Sequence, residues 1–408
     1  MAFYALSQLA QSKQPVSLSP QCGACGLFRK CNSPKMPVSG KGRRKILIVG
    51  EAPGEQEDQQ NRAFVGRAGK IIRDAIRDMG FDPERDCWWT NALICRPPKN
   101  ATPNNDQIGY CRPNLINTIR QLEPEIIIPA GAIAVRSLLG YVWRESSSSD
   151  SLERWLGWRI PSQKINAWIC PNYHPMKVEY DRQERQPMTG KFFRLYLERA
   201  FELEGRPWKN VPNYAKKVSI EMDPRRVAVV LKMLRFQGNR IAFDYETNMI
   251  KPDHPKAYIR SCAVSDGGTT IAYPWVGQAI DATLEMLEDK AVEKIGFNLK
   301  FEHRWTKTLY GVTVKNWIWC GMTGAHVLDN RDSISSLKFQ SFVLLGQDSY
   351  DDHIHQYLKS KVSTGYGENR IKEIAIEDLL LYNGLDALLE FKVGTIQMEA
   401  LYGNASKG

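Results

Sequence analysis

KILIVGEAPGEQED, residues 45–58, decides the architecture of the first half of the chain. Its apolar, β-rich run KILIVG (45–50) stops at Gly-Glu-Ala-Pro-Gly, which reads as a buried strand feeding a tight turn. Outward from it, GRAGKIIRDAIRDMG (66–80) places Ile71, Ile72, Ala75, Ile76 and Met79 at helical spacing and closes at Gly80. WWTNALI (88–94) reads as a strand, DQIGYCRPNLINTIRQL (106–122) as a helix, and EIIIPAG (125–131) as a further buried strand before the apolar AIAVRSLLG. Strands alternating with helices predict a parallel sheet covered on both faces, an α/β/α arrangement of three layers.

The second half has a different order. PRRVAVVLKMLRFQG (224–238) predicts a helix and RIAFDYET (240–247) a strand with carboxylates at its end. A strand-like AVEKIGFNLKF (291–301), a helix through WCGMTGAHVLD (319–329) and a strongly periodic helix IEDLLLYNGLDALLEFKV (376–393) follow. Ser146 to Ser149 reads as a short flexible insertion, and GRPWKNVPNYAKK (205–217) is polar, contains proline and lacks periodicity. The domain boundary is expected there, giving one domain over 1–205, a linker over 206–217 and a second domain over 218–408. No internal repeat is visible.

A chain of 408 residues, 43% hydrophobic and 25% charged, is too long for one ordinary core, and two domains are the expectation. No run approaches the roughly 18 apolar residues of a membrane span, and the start MAFYALSQLAQSKQP lacks the order of a signal peptide, so a soluble, cytoplasmic protein is expected. Nine cysteines, two of them as Cys22-Gly-Ala-Cys25, favour metal or cluster ligation over a disulfide framework. The net charge of +10 is uneven: residues 1–205 carry 29 Lys/Arg against 21 Asp/Glu, and the rest 26 against 24. That balance suits a polyanionic partner without identifying it.

In the first half, GEAPGEQED (50–58) and AFVGRAG (63–69) make a small-residue turn that lets a ligand approach the backbone. With Cys22-x2-Cys25, TNALICRPP containing Cys95, a second Cys-Arg-Pro at Cys111 and a late His174-Pro175, the landmarks run in order over residues 20–205. This stretch resembles the family-four, iron–sulfur uracil-DNA glycosylases. The resemblance implies their three-layer fold and a [4Fe–4S] cluster on Cys22, Cys25, Cys95 and Cys111. Spacing alone would also serve zinc, and Cys31 stands close enough to compete, although an ordinary small side chain is the preferred reading.

The chemistry implied is cleavage of an N-glycosidic bond to a base flipped out of the duplex. Phe64 would face the base, and Asn91 could donate to uracil O4 and accept from N3–H, a pattern cytosine inverts. Gly50 and Ala52 would let the base approach the turn. Negative charge develops on uracil O2 and positive charge on the sugar, so a histidine donor, His174, and a carboxylate, Glu51 or Glu57, are required. The residues after His-Pro, MKVEYD, are more charged than the apolar wedge of the family, which leaves Met176 as the candidate plug for the vacated stack.

In the second half, Asp244 and Glu246 lie two apart at a strand end and share a face. Tyr382 and Asp386 lie four apart on a helix, and GFNLKFEHRW between the motifs contributes Asn298 and Glu302. The ordered trio, with SLKFQSFVLLG before the last motif, resembles the 3′→5′ proofreading exonuclease of family A DNA polymerases, of the kind with Tyr in its third motif. That implies an RNase H-like α/β fold with a mixed sheet, and Mg²⁺ or Mn²⁺ held by Asp244, Glu246 and Asp386, with Asp244 and, as a candidate, Glu302 serving a second ion and Tyr382 orienting water. Glu302 stands where the family usually has Asp. Asn298 is expected at the substrate. Phe297, Phe301 and Trp305 read as core or as a path for terminal nucleotides.

The combined expectation is a monomeric, bifunctional enzyme of phage or bacterial type that excises uracil or a related pyrimidine from DNA and trims DNA 3′ ends. The chain stops 22 residues after Asp386, so no polymerase module is expected to follow, and a separate DNA polymerase is one candidate partner. The rival readings are a base- or end-binding module that does not cut, and a silent exonuclease acting as a polymerase scaffold.

Overall fold

The computed structural model describes residues 19–143, 151–184, 188–205, 212–238, 240–360, 362 and 364–403. The serine insertion 146–149 and most of the expected linker, 206–211, lie outside the described residues. The chain divides into two compact units, Met1–Val211 with Phe342–Asp348, and Pro212–Ser341 with Ser349–Gly408.

The first unit holds a five-stranded sheet of β1 (Ile46–Gly50), β2 (Cys87–Asn91), β3 (Ile126–Pro129), β4 (Ile160–Ser162) and β5 (Ala167–Ile169), in the order β2-β1-β3-β5-β4. All pairings are parallel except β4 with β5, so the expected parallel sheet carries one antiparallel edge strand. On one face Ile46, Ile48, Trp89, Ile126 and Ile128 pack with Ile72 and Ile76 of the helix Arg67–Asp78 and with Phe193 and Leu197 of the helix Met188–Phe201. Leu47, Val49 and Ile127, which alternate with them, are equally buried, so both faces are covered. That explains why these strands read as continuous apolar runs.

Register then positions the site. β1 and β2 end side by side at the Gly50–Asn91 pair, and a bridge between Ala130 and Asn172 carries the chain beyond β5 to the same edge. Loops after parallel strands collect at their carboxyl ends, where ligands bind in such sheets.

The second unit is built on β6 (Ser219–Ile220), β7 (Ile241–Thr247), β8 (Ile259–Ser265), β9 (Thr270–Pro274), β10 (Lys294–Gly296) and β11 (Trp317–Cys320). The order is β11-β10-β7-β8-β9-β6, with β7, β8 and β9 an antiparallel meander and β10 and β11 parallel beside β7. This is the mixed, RNase H-like sheet expected. Ile241, Phe243 and Tyr245 face a core with Leu231 and Leu234 of the helix Pro224–Phe236 and Met286 and Leu287 of the helix Gln278–Glu288. The period of two turns Ala242, Asp244 and Glu246 to the opposite face. There lies the 27-residue helix Ile376–Tyr402. Gly384 of that helix is required for close approach, because a Cβ would stand 2.3 Å from Val218.

Candidate functional site

At the carboxyl edge of the first sheet an open cleft is lined by Gly50, Glu51, Ala52, Glu57, Phe64, Asn91, His174 and Met176 among others. Every non-cysteine residue expected at the first site therefore reaches one cavity. Gly50 makes this possible: a Cβ there would stand 2.4 Å from Asn91 Oδ1 and 2.7 Å from Phe64 Cζ. The Phe64 backbone is held in the left-handed region (φ 58°), and its ring packs on Trp89 at 5.1 Å between centroids. Its carbonyl accepts from buried Arg73 Nε at 3.0 Å, and the Arg73 guanidinium lies 4.1 Å over the Trp89 ring. Arg73 went unnoticed in the sequence because it sits among the apolar positions of an ordinary helix.

His174 caps the helix Pro175–Gln183, with Nδ1 accepting from the Met176 amide at 3.2 Å. Burial holds its pKa below the ordinary value, so the ring is neutral and its one proton is on Nε2. Gly131 (φ 94°) makes room for the ring, since a Cβ would lie 2.9 Å from His174 Cβ. The two acids differ. Both Glu57 oxygens accept from backbone, Oε1 from Gly66 N–H at 2.6 Å and Oε2 from Gly54 N–H at 3.1 Å, so Glu57 ties the two glycine turns together. Glu51 lines the cleft, and burial raises its pKa. Tyr180, 54% exposed, joins Met176 at the rim.

Cys22, Cys25, Cys95 and Cys111 line a second, small pocket. The short helix Cys22–Cys25 is secured by Gln21 N–H donating to Tyr110 carbonyl at 3.1 Å, and Asp58 anchors the following loop by accepting from Asn32 and Ser33 amides. Lys35 N–H donates to Cys95 Sγ at 3.3 Å and Asn114 Nδ2 to Cys111 Sγ at 3.5 Å, the donor-to-sulfur contacts that suit an iron–sulfur cluster. Burial pushes the Cys95 thiol up to about 12, and Cys31 lies against it as a fifth thiol.

In the second unit, ligand oxygens of Asp244, Glu246 and Asp386 all lie within 4.8 Å of one another. Burial first, then the charge of Asp386, pushes Asp244 up to about 8, and burial, then the charges of Asp244 and Asp386, raise Glu246 well above its ordinary range. Acids this close resist ionisation together unless a cation lies between them, and a hard divalent ion fits an all-oxygen set. Asn383, inside the YNGLD motif, donates to Asp244 Oδ2 at 2.7 Å and accepts from Ser261 Oγ at 2.9 Å. Lys338 and Tyr350 both donate to Asp386, and the Lys338 ammonium sits 4.5 Å from the ring centres of Tyr350 and Tyr382.

Phe301 shares a cleft with Glu246, whereas Trp305 is wholly buried in the core and its indole N–H donates to the Ile250 carbonyl. Asn298 is exposed at a left-handed turn (φ 81°) before the helix Lys300–Tyr310 and does not line that cleft. Glu302 is buried on this helix.

Comparison with known proteins agrees with both halves. The uracil DNA glycosylase superfamily model matches residues 37–200, and a 3′-5′ exonuclease model matches residues 221–396. The type-4 uracil-DNA glycosylase of Pyrobaculum aerophilum is 35% identical over 162 residues, 40% of this chain and 81% of that protein. A DNA polymerase of Bacillus phage SP01 is 25% identical over 350 residues, 78% of this chain, of which this chain spans 36%. Among solved structures, Brucella melitensis NrnC aligns at a TM-score of 0.35 and 14% identity, over 47% of this chain and 84% of that one.

Proposed function

Since the chain belongs to the type-4 uracil-DNA glycosylases through its N-terminal half and joins to it a 3′-5′ exonuclease domain, we infer that one polypeptide excises uracil from DNA and degrades DNA 3′ ends. The observation that carries the first activity is the neutral His174 in one cleft with Asn91, Phe64 and Glu51.

With Nδ1 engaged by the Met176 amide, Nε2–H is the donor free to meet uracil O2 as charge builds there. A neutral imidazole can give this hydrogen bond without an energetic cost for burying its own charge. The Asn91 amide reads the O4 and N3–H edge, the Phe64 ring stacks on the base, and Gly50 keeps the space between them open. Glu51 stabilises the cationic sugar and orients water, while Glu57 acts as a positioning residue for the two glycine turns. Met176 and Tyr180, on the first turns after His174, fill the gap left by the flipped nucleotide.

Cys22, Cys25, Cys95 and Cys111 would hold a [4Fe–4S] cluster that ties the N-terminal segment to the loops of the sheet. In the second unit Asp244, Glu246 and Asp386 would hold Mg²⁺ or Mn²⁺, with Glu302 toward a second ion. Such ions neutralise phosphate charge and make water a better nucleophile. Asn383 fixes the Asp244 carboxylate, and Tyr382 orients the attacking water. The Phe301 side of the neighbouring cleft receives the terminal nucleotide, and exposed Asn298 contacts the strand beyond it.

The division of labour follows a glycosylase domain over 1–205, a linker over 206–217 and an exonuclease domain over 218–408. The likeness to the phage polymerase across both halves supports a role in DNA replication or repair. A monomer acting on DNA with a separate polymerase, in a phage or bacterial cytoplasm, completes the proposal. Among the described residues no helix is long and apolar enough to cross a membrane.

Release of uracil from a labelled oligonucleotide and metal-dependent shortening of a 3′-labelled strand test both activities. Wild type is expected to do both, His174→Ala to lose the first and Asp244→Ala the second. Absence of uracil release by wild type would leave a binding module, and absence of shortening would leave a scaffold.

A further inference from the structure

We propose that Glu390 is a further cation-binding carboxylate of the exonuclease centre, forming with Glu302 and Asp244 the pocket for a second divalent ion. The inference rests on the two-metal reading of that centre and adds to it a residue outside its three motifs.

Glu390 lies one turn beyond Asp386 on the helix Ile376–Tyr402, so both side chains leave the same face toward β7. Its side chain is 2% exposed, as is that of Glu302 on the helix Lys300–Tyr310. Glu390 Oε2 and Glu302 Oε2 are both buried, and among the described residues neither has a hydrogen-bond partner. The charges that Glu390 meets most strongly are those of Asp244, Glu302 and Asp386, in that order, with the Lys338 ammonium opposing them.

A glutamate that served only packing would be expected to find a donor for each oxygen or to be apolar, because an unsatisfied buried oxygen is destabilising. These two oxygens come from different helices, and Asp244 is the charge that each carboxyl meets most strongly. Lys338 does not offset all of this charge, since its ammonium is committed to Asp386 and to the Tyr350 and Tyr382 rings. A divalent cation with oxygen ligands meets the need of both orphaned atoms together.

The test is a Mn²⁺ titration of the full chain, following free Mn²⁺ by electron paramagnetic resonance, for wild type, Asp244→Asn, Glu390→Gln and Glu390→Leu. Wild type is expected to bind two ions that Asp244→Asn loses. Both Glu390 variants should retain the first ion and bind the second at least about 10-fold more weakly. The isosteric and the apolar replacement are paired so that one folded variant suffices, with melting of the metal-free protein as the control. A role confined to packing would move that melting point and leave ion binding alone. If wild type binds no ion sensitive to Asp244→Asn, the two-metal reading falls and takes this inference with it. If wild type binds two and both folded Glu390 variants bind them equally well, the inference about Glu390 alone is overturned.

Discussion

The two clefts solve opposite electrostatic problems. At the edge of the first sheet the working groups are complete as the chain folds: His174 is neutral with its acceptor nitrogen occupied, and Glu57 satisfies both oxygens on backbone amides. In the second unit Asp244, Glu246, Glu302, Asp386 and Glu390 crowd one region with Lys338 as the ammonium that opposes them. The first site is preorganised by hydrogen bonds within the protein, and the second gathers more acid than Lys338 offsets. Base recognition needs fixed donors and acceptors in a dry pocket. Phosphodiester hydrolysis needs charge placed on both sides of a phosphate.

That contrast can be broken or sharpened by four measurements. The largest effect should follow Asp244→Asn, which removes the acid shared by the ion sites: 3′ shortening should fall roughly 1,000-fold or more, the scale of losing a principal charge-stabilising group. Uracil release by the same preparation should be unchanged, and a parallel loss there would show that the two sites are not independent. His174→Ala should do the reverse, lowering single-turnover uracil release by about 100- to 1,000-fold while leaving shortening intact.

Gly50→Ala sets a methyl against Asn91 and Phe64, so uracil excision should drop about 10-fold, near 1.4 kcal/mol of transition-state binding, with no change in cluster content by absorbance. Unaltered excision would mean that the base does not lie between these side chains.

The smallest effect is in stability against pH. Metal-free, Asp244 titrates at about 8 in the fold and near 3.9 when unfolded, so the native state binds the extra proton between those values. Its stabilising contribution is complete below about pH 4 and is lost as pH rises toward 8. The melting point of chelated protein should therefore fall by a few degrees from pH 5 to pH 8, a change Mg²⁺ should suppress. Equal pH slopes with and without Mg²⁺ would place ion binding elsewhere.

Much of this was legible before any coordinates. Period-two alternation put Asp244 and Glu246 on one face, four-residue spacing put Tyr382 and Asp386 together, and continuous apolar runs announced a sheet buried on both sides. Other elements escaped: β4, β5 and β11 span three or four residues, too few for a period to show, and β8 and β9 become strands through their antiparallel pairing beside β7. Arg73, Gly131, Lys338, Tyr350 and Asn383 were missed because their partners are set by packing rather than spacing. Lys338 meets Asp386 across 48 positions, and Asn383 meets Asp244 across 139.

By itself the sequence determined the principal strands and helices of each half, and which chemistries the chain holds: four paired thiols, one late imidazole and a set of strand-end and helix acids. Local propensity and spacing suffice for that, since they act over one or two turns. Only the tertiary structure decided that Glu57 braces turns while Glu51 faces the cleft, that His174 is neutral with its proton on Nε2, and that Glu390 joins the acids around Asp244. Those outcomes depend on burial and on donors brought in from distant segments, and neither exists until the chain has packed.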